Sequence, residues 1–191
     1  MFNDNILNKL AQKYGPPNFL DREEPLFESL LGSIISQQLS TKAADTIYKR
    51  FLALFKGRVP TPRQILNMDK EKIRGAGISY MKISYLKDIA KTFDAKLIDE
   101  EKIKKMDDAE VMAELIKLRG VGKWTAEMIL IFNLKRPDIF SAGDFGLRRA
   151  IRLLYGITGE KEILKLSEKW KPNRSLACWY LWQSLDNTPN V

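Results

Sequence analysis

The sequence predicts an all-α protein. Apolar residues recur at intervals of three and four along most of the chain, and the alternation typical of β-strands is lacking. Residues that favour helix N-termini, such as Ser40, Thr61 and Ser79, stand directly before these periodic segments. The 191 residues are enough for one domain, or for two small lobes that share a core.

Ten segments carry the helical pattern, and they are joined by short loops. Pro62 follows Thr61 at the first helical position, and Gly75 and Gly77 mark the end of another helix. The segments are 6–14, 24–36, 40–55, 61–67, 68–77, 79–93, 107–118, 144–156, 160–170 and 173–185. Because the proline-containing joints are too short to be flexible linkers, we expect many short helices around a shared core.

The composition excludes several kinds of chemistry. No apolar run approaches the ~20 residues that span a bilayer, and the N-terminus lacks the pattern of a signal peptide. One cysteine, Cys178, excludes an internal disulfide and any all-cysteine cluster or zinc site. The chain has no histidine, so catalysis would need a carboxylate, a lysine, a hydroxyl or the thiol. Together these features indicate a cytoplasmic protein.

Positive charge is concentrated in one part of the chain. Residues 117–152 contain eight basic and three acidic residues, so they hold +5 of the net charge of +8. Such clustering favours a polyanionic partner. A solvated, lysine-rich surface is the alternative explanation.

Residues 119–122, called the glycine turn, stand between two apolar helical patterns. Gly120 and Gly122 permit backbone angles that strain other residues, and a new helix is expected to begin near Gly122. Its unpaired N–H groups could bind a phosphate, with Lys123 adding charge and Thr125 donating a hydroxyl. A plain turn between two helices is the alternative.

Several motifs resemble one enzyme superfamily. The pattern Leu-x-Gly-Val-Gly-x-x-Thr-Ala, from Leu118, resembles the helix-hairpin-helix DNA-binding element, and 140–151 (FSAGDFGLRRAI) resembles the segment that follows it in base-excision DNA glycosylases. Segments 27–51, 75–90 and 170–182 are similar to the alkylated-base branch, the 3-methyladenine DNA glycosylase II type. The last of these contains the Trp-x-Pro-x-Arg-Ser signature.

The resemblance implies a fold and a partner. The chain would be one compact domain, 1–191, with two helical lobes and the active site in the cleft between them. One lobe would consist mainly of 35–130, and the other of the N-terminal helices plus 131–191. We expect a monomer that binds double-stranded DNA with a damaged base and no membrane. It would be nucleoid-associated in a prokaryotic cytoplasm, or nuclear in a eukaryote.

No cofactor is expected, apart from an ion that family members often bind. Main-chain carbonyls of Ile116, Leu118 and Val121 would hold that alkali cation, Na⁺ or K⁺, by resemblance. The iron–sulfur cluster of another branch is excluded by the cysteine count.

Asp144 matches the family's catalytic aspartate. A glycosylase breaks the sugar–base bond through an oxocarbenium-like state, which a nearby carboxylate stabilises. It can also orient or deprotonate the attacking water. The alternative is that Asp144 serves as the N-cap of the helix that follows.

Trp124 stands where lyase-type relatives have the lysine that attacks the sugar. The resemblance therefore implies that water is the nucleophile and that AP-lyase activity is absent. Alkylated purines are cationic, so an extruded base would stack on the tryptophan face. By resemblance, Trp182, Phe145, Met128 and Gln37 would complete the base pocket, although core packing would also explain the first three.

Residues 36–40, called the wedge segment, are polar between two apolar helices. In the family this joint enters the duplex and fills the space left by the extruded base, with Gln38 at the wedge position. A polar turn with Ser40 as cap is the alternative. The residues expected to contact DNA are Gln38, Leu39, Ser40, Gly120, Val121, Gly122, Lys123, Thr125 and Arg148.

The hypothesis that follows is a monofunctional DNA glycosylase for alkylated purines of the 3-methyladenine and 7-methylguanine type. Two alternatives stay open at this point. One is a non-catalytic DNA-binding module that retains the hairpin, and the other is a glycosylase for deaminated bases such as hypoxanthine.

Overall fold

The computed structural model of the protein describes residues 2–21 and 23–185, without the side chain of Thr41. These residues form twelve α-helices and no β-strand, so the predicted all-α class is confirmed. The helices are α1 (Asn5–Tyr14), α2 (Leu26–Ser36), α3 (Thr41–Ala53), α4 (Pro62–Asn67), α5 (Lys70–Gly75), α6 (Tyr80–Asp94), α7 (Glu100–Lys105), α8 (Asp108–Ile116), α9 (Lys123–Met128), α10 (Phe145–Tyr155), α11 (Glu160–Glu168) and α12 (Arg174–Gln183). A 3₁₀ turn at Asn18–Asp21 and a π-helical turn at Ile129–Asn133 complete the regular structure of these residues.

Across the described ranges, none of the helices combines the length and the apolar character that a bilayer crossing requires.

The chain divides into two compact units. The central unit is Glu24–Ile129, and the terminal unit consists of the described residues of Met1–Glu23 and Leu130–Pro189. The assignment of 1–191 to a single domain with two lobes stays a prediction.

The central unit is built around α2. Leu30, Leu31 and Ile34 are fully buried, and α2 packs against both α3 and α6. One apolar row of helix α6 faces the core, and this row includes Ile83 and Leu86. Helix α6 also packs against α4 and α5. Spacings of three and four place such residues on one face of a helix.

The terminal unit is built around α12, which packs against α1 and α10. Residues 177–182 are all buried, so this helix is enclosed on nearly all sides. Helix α10 is amphipathic instead and buries Leu147, Ala150 and Ile151. A helix buried all round needs a continuous apolar run, which α12 has.

Helix caps agree with the sequence patterns. Ser40, Thr61 and Ser79 each accept a backbone N–H from the first turn of their helix. Gln64 completes a capping box with Thr61. These predicted helix starts are confirmed.

The structure differs from the prediction by one additional helix and by one or two residues at several helix ends. Helix α7 was not predicted, because Ile103 is its one buried side chain and a single apolar residue gives no periodicity. The Asp99 cap, which accepts N–H groups from Glu101 and Lys102, holds its start instead. Helix α8 ends at Ile116, two residues before the predicted end at Leu118.

Asp4 connects three parts of the terminal unit. Its carboxylate caps α1 by accepting the Ile6 and Leu7 N–H groups at 2.9 and 3.1 Å. It also accepts the Tyr155 hydroxyl and the Trp170 indole N–H, both at 3.0 Å. Burial and the Asp4 charge raise the pKa of Tyr155 above its ordinary value. One carboxylate therefore ties α1 to the end of α10 and to the segment before α12.

We expect Asp4→Ala to lower the free energy of unfolding by about 3 kcal/mol, because the helix cap is lost and two partly buried donors lose their acceptor. Asp99→Ala is the matched control, since Asp99 accepts two N–H groups at an exposed helix start. That variant should lose only about 1 kcal/mol. Urea unfolding of both variants measures the difference, and equal losses would contradict the connecting role of Asp4.

Candidate active site

Asp144 lies at the start of α10 and is the N-cap of that helix. Its Oδ1 atom accepts the backbone N–H of Leu147 at 2.7 Å. The same oxygen accepts the indole N–H of Trp182 at 2.9 Å. Asp144 is only 7% exposed. Two N–H donors on one oxygen fix the orientation of this carboxylate, so the capping role is real and is compatible with a further one.

Trp182 supports Asp144 from α12. The tryptophan is 1% exposed, and its ring lies 5.6 Å from that of Phe132, centroid to centroid. Packing fixes the ring while its N–H finds a polar partner, as buried tryptophans usually do. The sequence suggested Trp182 as a pocket wall, a role that stays a prediction. Its hydrogen bond to Asp144 was not anticipated.

Gly146 leaves room for this pair. A Cβ atom on Gly146 would lie 3.1 Å from Asp144 Oδ1 and 3.2 Å from Trp182 Cδ1. Both distances are shorter than ordinary contacts of a Cβ atom, so a side chain here would press on the carboxylate and on the indole. The absence of a side chain at 146 thus protects the geometry of Asp144.

The Arg-Ser part of the C-terminal signature holds the loop that leads into Asp144. Arg174 forms a two-pronged ion pair with Asp138, with Nε–Oδ1 and Nη2–Oδ2 distances of 2.8 and 3.0 Å. Ser175 donates its hydroxyl to the Arg136 carbonyl and accepts the Ile139 N–H at 3.0 Å. The sequence identified this signature, and the structure gives it a physical role: α12 anchors the loop before α10.

The outer surface of α10 carries an aromatic ring and several cations. Phe145, next to Asp144, is 81% exposed. Arg148 is half-buried, and Arg149 and Arg152 are exposed. An exposed ring beside basic side chains suits a nucleic-acid surface.

In the central unit, the glycine turn packs closely on α6. Gly120 has a φ of +89°, and a Cβ atom there would lie 2.4 Å from Tyr85 Cδ2. Both the backbone angle and the space therefore require glycine. The expectation that Gly122 also needs a backbone angle that strains other residues was wrong. Gly122 is extended at φ −92° and has open space on the side where a Cβ atom would point. It is the N-cap of α9, so the predicted helix start is confirmed.

Thr125 is buried, whereas its sequence context predicted a hydroxyl that donates to a DNA phosphate. Its side chain is 2% exposed, and its hydroxyl accepts the Gln37 Nε2–H at 3.2 Å. Gln37 Nε2 also donates to the Gly120 carbonyl at 2.9 Å. A buried hydroxyl that supports the turn does not suit direct donation to a phosphate, so that expectation is corrected.

The three other α9 residues of interest have different environments. Trp124 is half-buried, whereas Met128 is 1% exposed. The Lys123 side chain is largely exposed, with its Nζ 3.9 Å from Glu127 Oε1. The burial of Met128 agrees with a role in core packing. Its place in a base pocket stays a prediction.

The last three residues of the wedge segment, 38–40, are exposed to solvent, whereas Ser36 and Gln37 are half-buried. Gln38 has a φ of +60°, in the left-handed region, and both Leu39 and Ser40 are exposed. The Leu39 N–H donates to the Ser36 carbonyl at 3.0 Å. The Ser40 cap of the alternative interpretation is present, and it is compatible with exposed residues at 38 and 39.

No group of three potential His, Cys, Asp or Glu ligands is found in the described ranges. The proposed alkali cation would use carbonyls instead. The Leu118 carbonyl accepts the Val121 N–H at 3.0 Å. A carbonyl oxygen has a second lone pair, so this bond is compatible with coordination, and the cation stays a prediction.

The chain belongs to the HhH-GPD superfamily of base excision DNA repair proteins, whose family model matches residues 31–173.

Three relatives illustrate the similarity. The chain is 38% identical to the DNA-3-methyladenine glycosylase 1 of Schizosaccharomyces pombe, over 93% of this chain and 80% of that protein. It is 33% identical to the alkylbase DNA glycosidase-like protein mag2 of the same organism, over 94% and 88% of the two chains. A solved structure of an S. pombe 3-methyladenine DNA glycosylase in complex with abasic DNA superposes with a TM-score of 0.86, at 35% identity, and covers 96% of this chain and 93% of that one.

We expect Gly120→Ala to lower the free energy of unfolding by about 3 kcal/mol, because it adds left-handed strain to an overlap with Tyr85. Gly122→Ala is the matched control two residues away, and it should change stability by less than about 1 kcal/mol. Chemical denaturation of both variants provides the measurement. Similar values for the two would refute the contrast between these glycines.

Proposed function

We propose that this protein is a monofunctional DNA glycosylase that hydrolyses the N-glycosidic bond of alkylated purines. Membership of a base excision repair family supports this, as do relatives whose names refer to 3-methyladenine and to alkylated bases. The observation that carries the proposal is the placement of Asp144, a nearly buried carboxylate held by the Leu147 and Trp182 N–H groups.

The chemistry needs a fixed negative charge near the sugar. As the bond to the base breaks, positive charge develops on the sugar ring, and a carboxylate stabilises it. Since Asp144 is already oriented by two donors, little reorganisation accompanies the reaction, which is the condition for strong electrostatic stabilisation. The same carboxylate would orient or deprotonate the attacking water.

A cationic leaving group suits the composition of the chain. Alkylation at N3 or N7 gives the purine a positive charge, so the base departs with little acid assistance. A protein with no histidine can therefore catalyse this reaction with one carboxylate. Part of the selectivity would come from the easier extrusion of a damaged base.

Trp124 is proposed to stack on the extruded base. Its half-buried ring stands at the start of α9, and the electron-rich face of tryptophan attracts cations. Phe145, Gln37, Met128 and Trp182 are proposed as further pocket residues. Of these, Phe145 has the exposed ring that stacking needs.

The side chains near this position support the proposal that lyase activity is absent. Lyase-type relatives use a lysine where this chain has Trp124, and a nucleophilic lysine needs an aligned sugar and a deprotonated amine. The neighbouring Lys123 projects into solvent, with the Glu127 carboxylate 3.9 Å away. We therefore propose water as the nucleophile and an abasic site as the product.

DNA binding would involve the glycine turn, the wedge segment and basic residues such as Lys123 and Arg148. The backbone N–H groups of Gly120 and Gly122 could approach a phosphate closely because these two residues have no side chains. The two alternatives, a non-catalytic module and a glycosylase for deaminated bases, are not favoured by the names of the relatives. The protein would act wherever the cell's DNA is located, the nucleoid or the nucleus.

We expect Asp144→Asn to retain DNA affinity and to slow single-turnover base release by about 100-fold, since a fixed charge is worth ~3 kcal/mol in the transition state. The amide oxygen can still accept both N–H groups, so the cap survives.

Asp107→Asn is the matched control, because Asp107 caps α8 by accepting the Glu110 N–H at 2.8 Å. It should release the base at the rate of the unmodified protein. If Asp144→Asn also retains that rate, the catalytic assignment is wrong. A loss of stability with normal activity per folded molecule would leave Asp144 only its capping role.

We expect Trp124→Ala to slow release of 7-methylguanine more than release of hypoxanthine. Both bases lose stacking, but only the cationic base loses a cation–π attraction of about 2 kcal/mol, or roughly 30-fold in rate. Trp124→Phe should be intermediate for the cationic base. Single-turnover rates on the two duplexes test this, and equal losses on both would reduce Trp124 to a generic stacking or core residue.

A further inference from the structure

Lys82, on α6, is bonded to the end of α2. Its Nζ atom donates to the Ile35 carbonyl at 2.8 Å and to the Gln37 carbonyl at 2.7 Å. The last carbonyls of a helix have no partner within it, and a lysine that reaches them also interacts well with the helix dipole. Partial burial lowers the pKa of Lys82 below its ordinary value. A partly buried ammonium group thus holds this helix end.

The residue that Lys82 holds is fixed from a second side. The Gln37 side chain donates to the Gly120 carbonyl at 2.9 Å and to the Thr125 hydroxyl at 3.2 Å. Its main chain is therefore tied to α6, and its side chain is tied to the glycine turn and α9. The following residue, Gln38, has a φ of +60°, an angle that persists only where the surroundings impose it.

The same face of α6 also holds the glycine turn. Tyr85 lies three residues after Lys82, and its ring occupies the space beside Gly120 that a side chain would need. Asp88, three residues further, pairs with Arg119 at 3.1 Å. Residues spaced by three share a helix face, so one row on α6 contacts both the wedge segment and the glycine turn.

We propose that Lys82 is a positioning residue for base extrusion, which fixes the wedge segment relative to the glycine turn so that Gln38 and Leu39 can fill the gap in the duplex. This inference rests on the proposed function. Lys82 itself has no contact with DNA in this role. It sets the position of the exposed side chains at 38 and 39, and a displacement of about 1 Å at such a position can cost a large factor in rate.

Lys87 provides a matched control on the same helix. Its Nζ atom donates to the Leu66 and Met68 carbonyls at 3.2 and 3.0 Å, and so it holds the end of α4 in the same way. Both lysines are half-buried. The two differ in the segment they hold, since α4 ends away from the wedge segment in sequence and is not among the proposed DNA contacts.

The test compares Lys82→Met with Lys87→Met in the full chain. We expect similar losses of stability in urea for the two variants. Single-turnover release of 7-methylguanine should slow at least about tenfold in Lys82→Met and stay within about twofold in Lys87→Met. Affinity for a duplex with a tetrahydrofuran abasic analogue, measured by fluorescence anisotropy, should be nearly unchanged in both.

A second readout reports the wedge directly and needs no excision. A 2-aminopurine placed beside the tetrahydrofuran gap changes fluorescence when a side chain enters the gap and alters its stacking. We expect that change with the unmodified protein and with Lys87→Met, and a much smaller one with Lys82→Met. Lys82→Arg, which retains donors for both carbonyls, should recover most of the signal.

Each outcome supports or overturns the positioning role of Lys82. Equal slowing in the two methionine variants, or a normal 2-aminopurine signal in Lys82→Met, would overturn the positioning role. If Lys82→Met does not fold, Lys82→Gln, whose amide is too short to reach both carbonyls, replaces it with the same expectations. If the unmodified protein releases no alkylated base while the 2-aminopurine signal still depends on Lys82, the proposed function fails and the positioning role is supported.

Discussion

The hydrogen bond between the Trp182 indole and the Asp144 carboxylate is the interaction on which the geometry of the candidate active site depends. Four separate features protect it. Gly146 leaves space beside both groups, and Phe132 packs on the indole. Arg174 and Ser175 hold the loop that enters α10. A carboxylate with one fixed orientation can act on a developing positive charge without rearrangement, and the catalytic role proposed for Asp144 requires such support.

The central unit contains residues that hold the backbone in place and residues whose side chains are exposed. Lys82, Tyr85 and Gln37 are held among the helices and fix the backbone of the wedge segment and the glycine turn. The side chains that this backbone presents, such as those of Leu39 and Lys123, are exposed. Exposed residues on a firmly held backbone suit the recognition of a distorted duplex. The segment loses its conformational entropy during folding, so binding to DNA does not carry that cost.

Much of the fold follows from the sequence, but the geometry of the site does not. Apolar periodicity and capping residues such as Thr61 identify most helices, because these signals are local. Helix α7 lacks a periodic face and so was missed. Gly120 and Gly122 look alike in sequence, yet only Gly120 faces a neighbouring ring, which tertiary packing decides. The burial of Thr125 and the bond from Trp182 to Asp144 likewise depend on which helices meet, and no local pattern encodes that.

The most direct test of the central claim is to identify what the unmodified protein releases from a methylated DNA duplex. We expect chromatography to find 3-methyladenine and 7-methylguanine, the strand to stay intact at the resulting abasic site, and borohydride to trap no protein–DNA adduct. Release of no base would contradict the proposed activity, as would release of hypoxanthine alone. A trapped adduct would show that an amine of the protein, and not water, attacks the sugar.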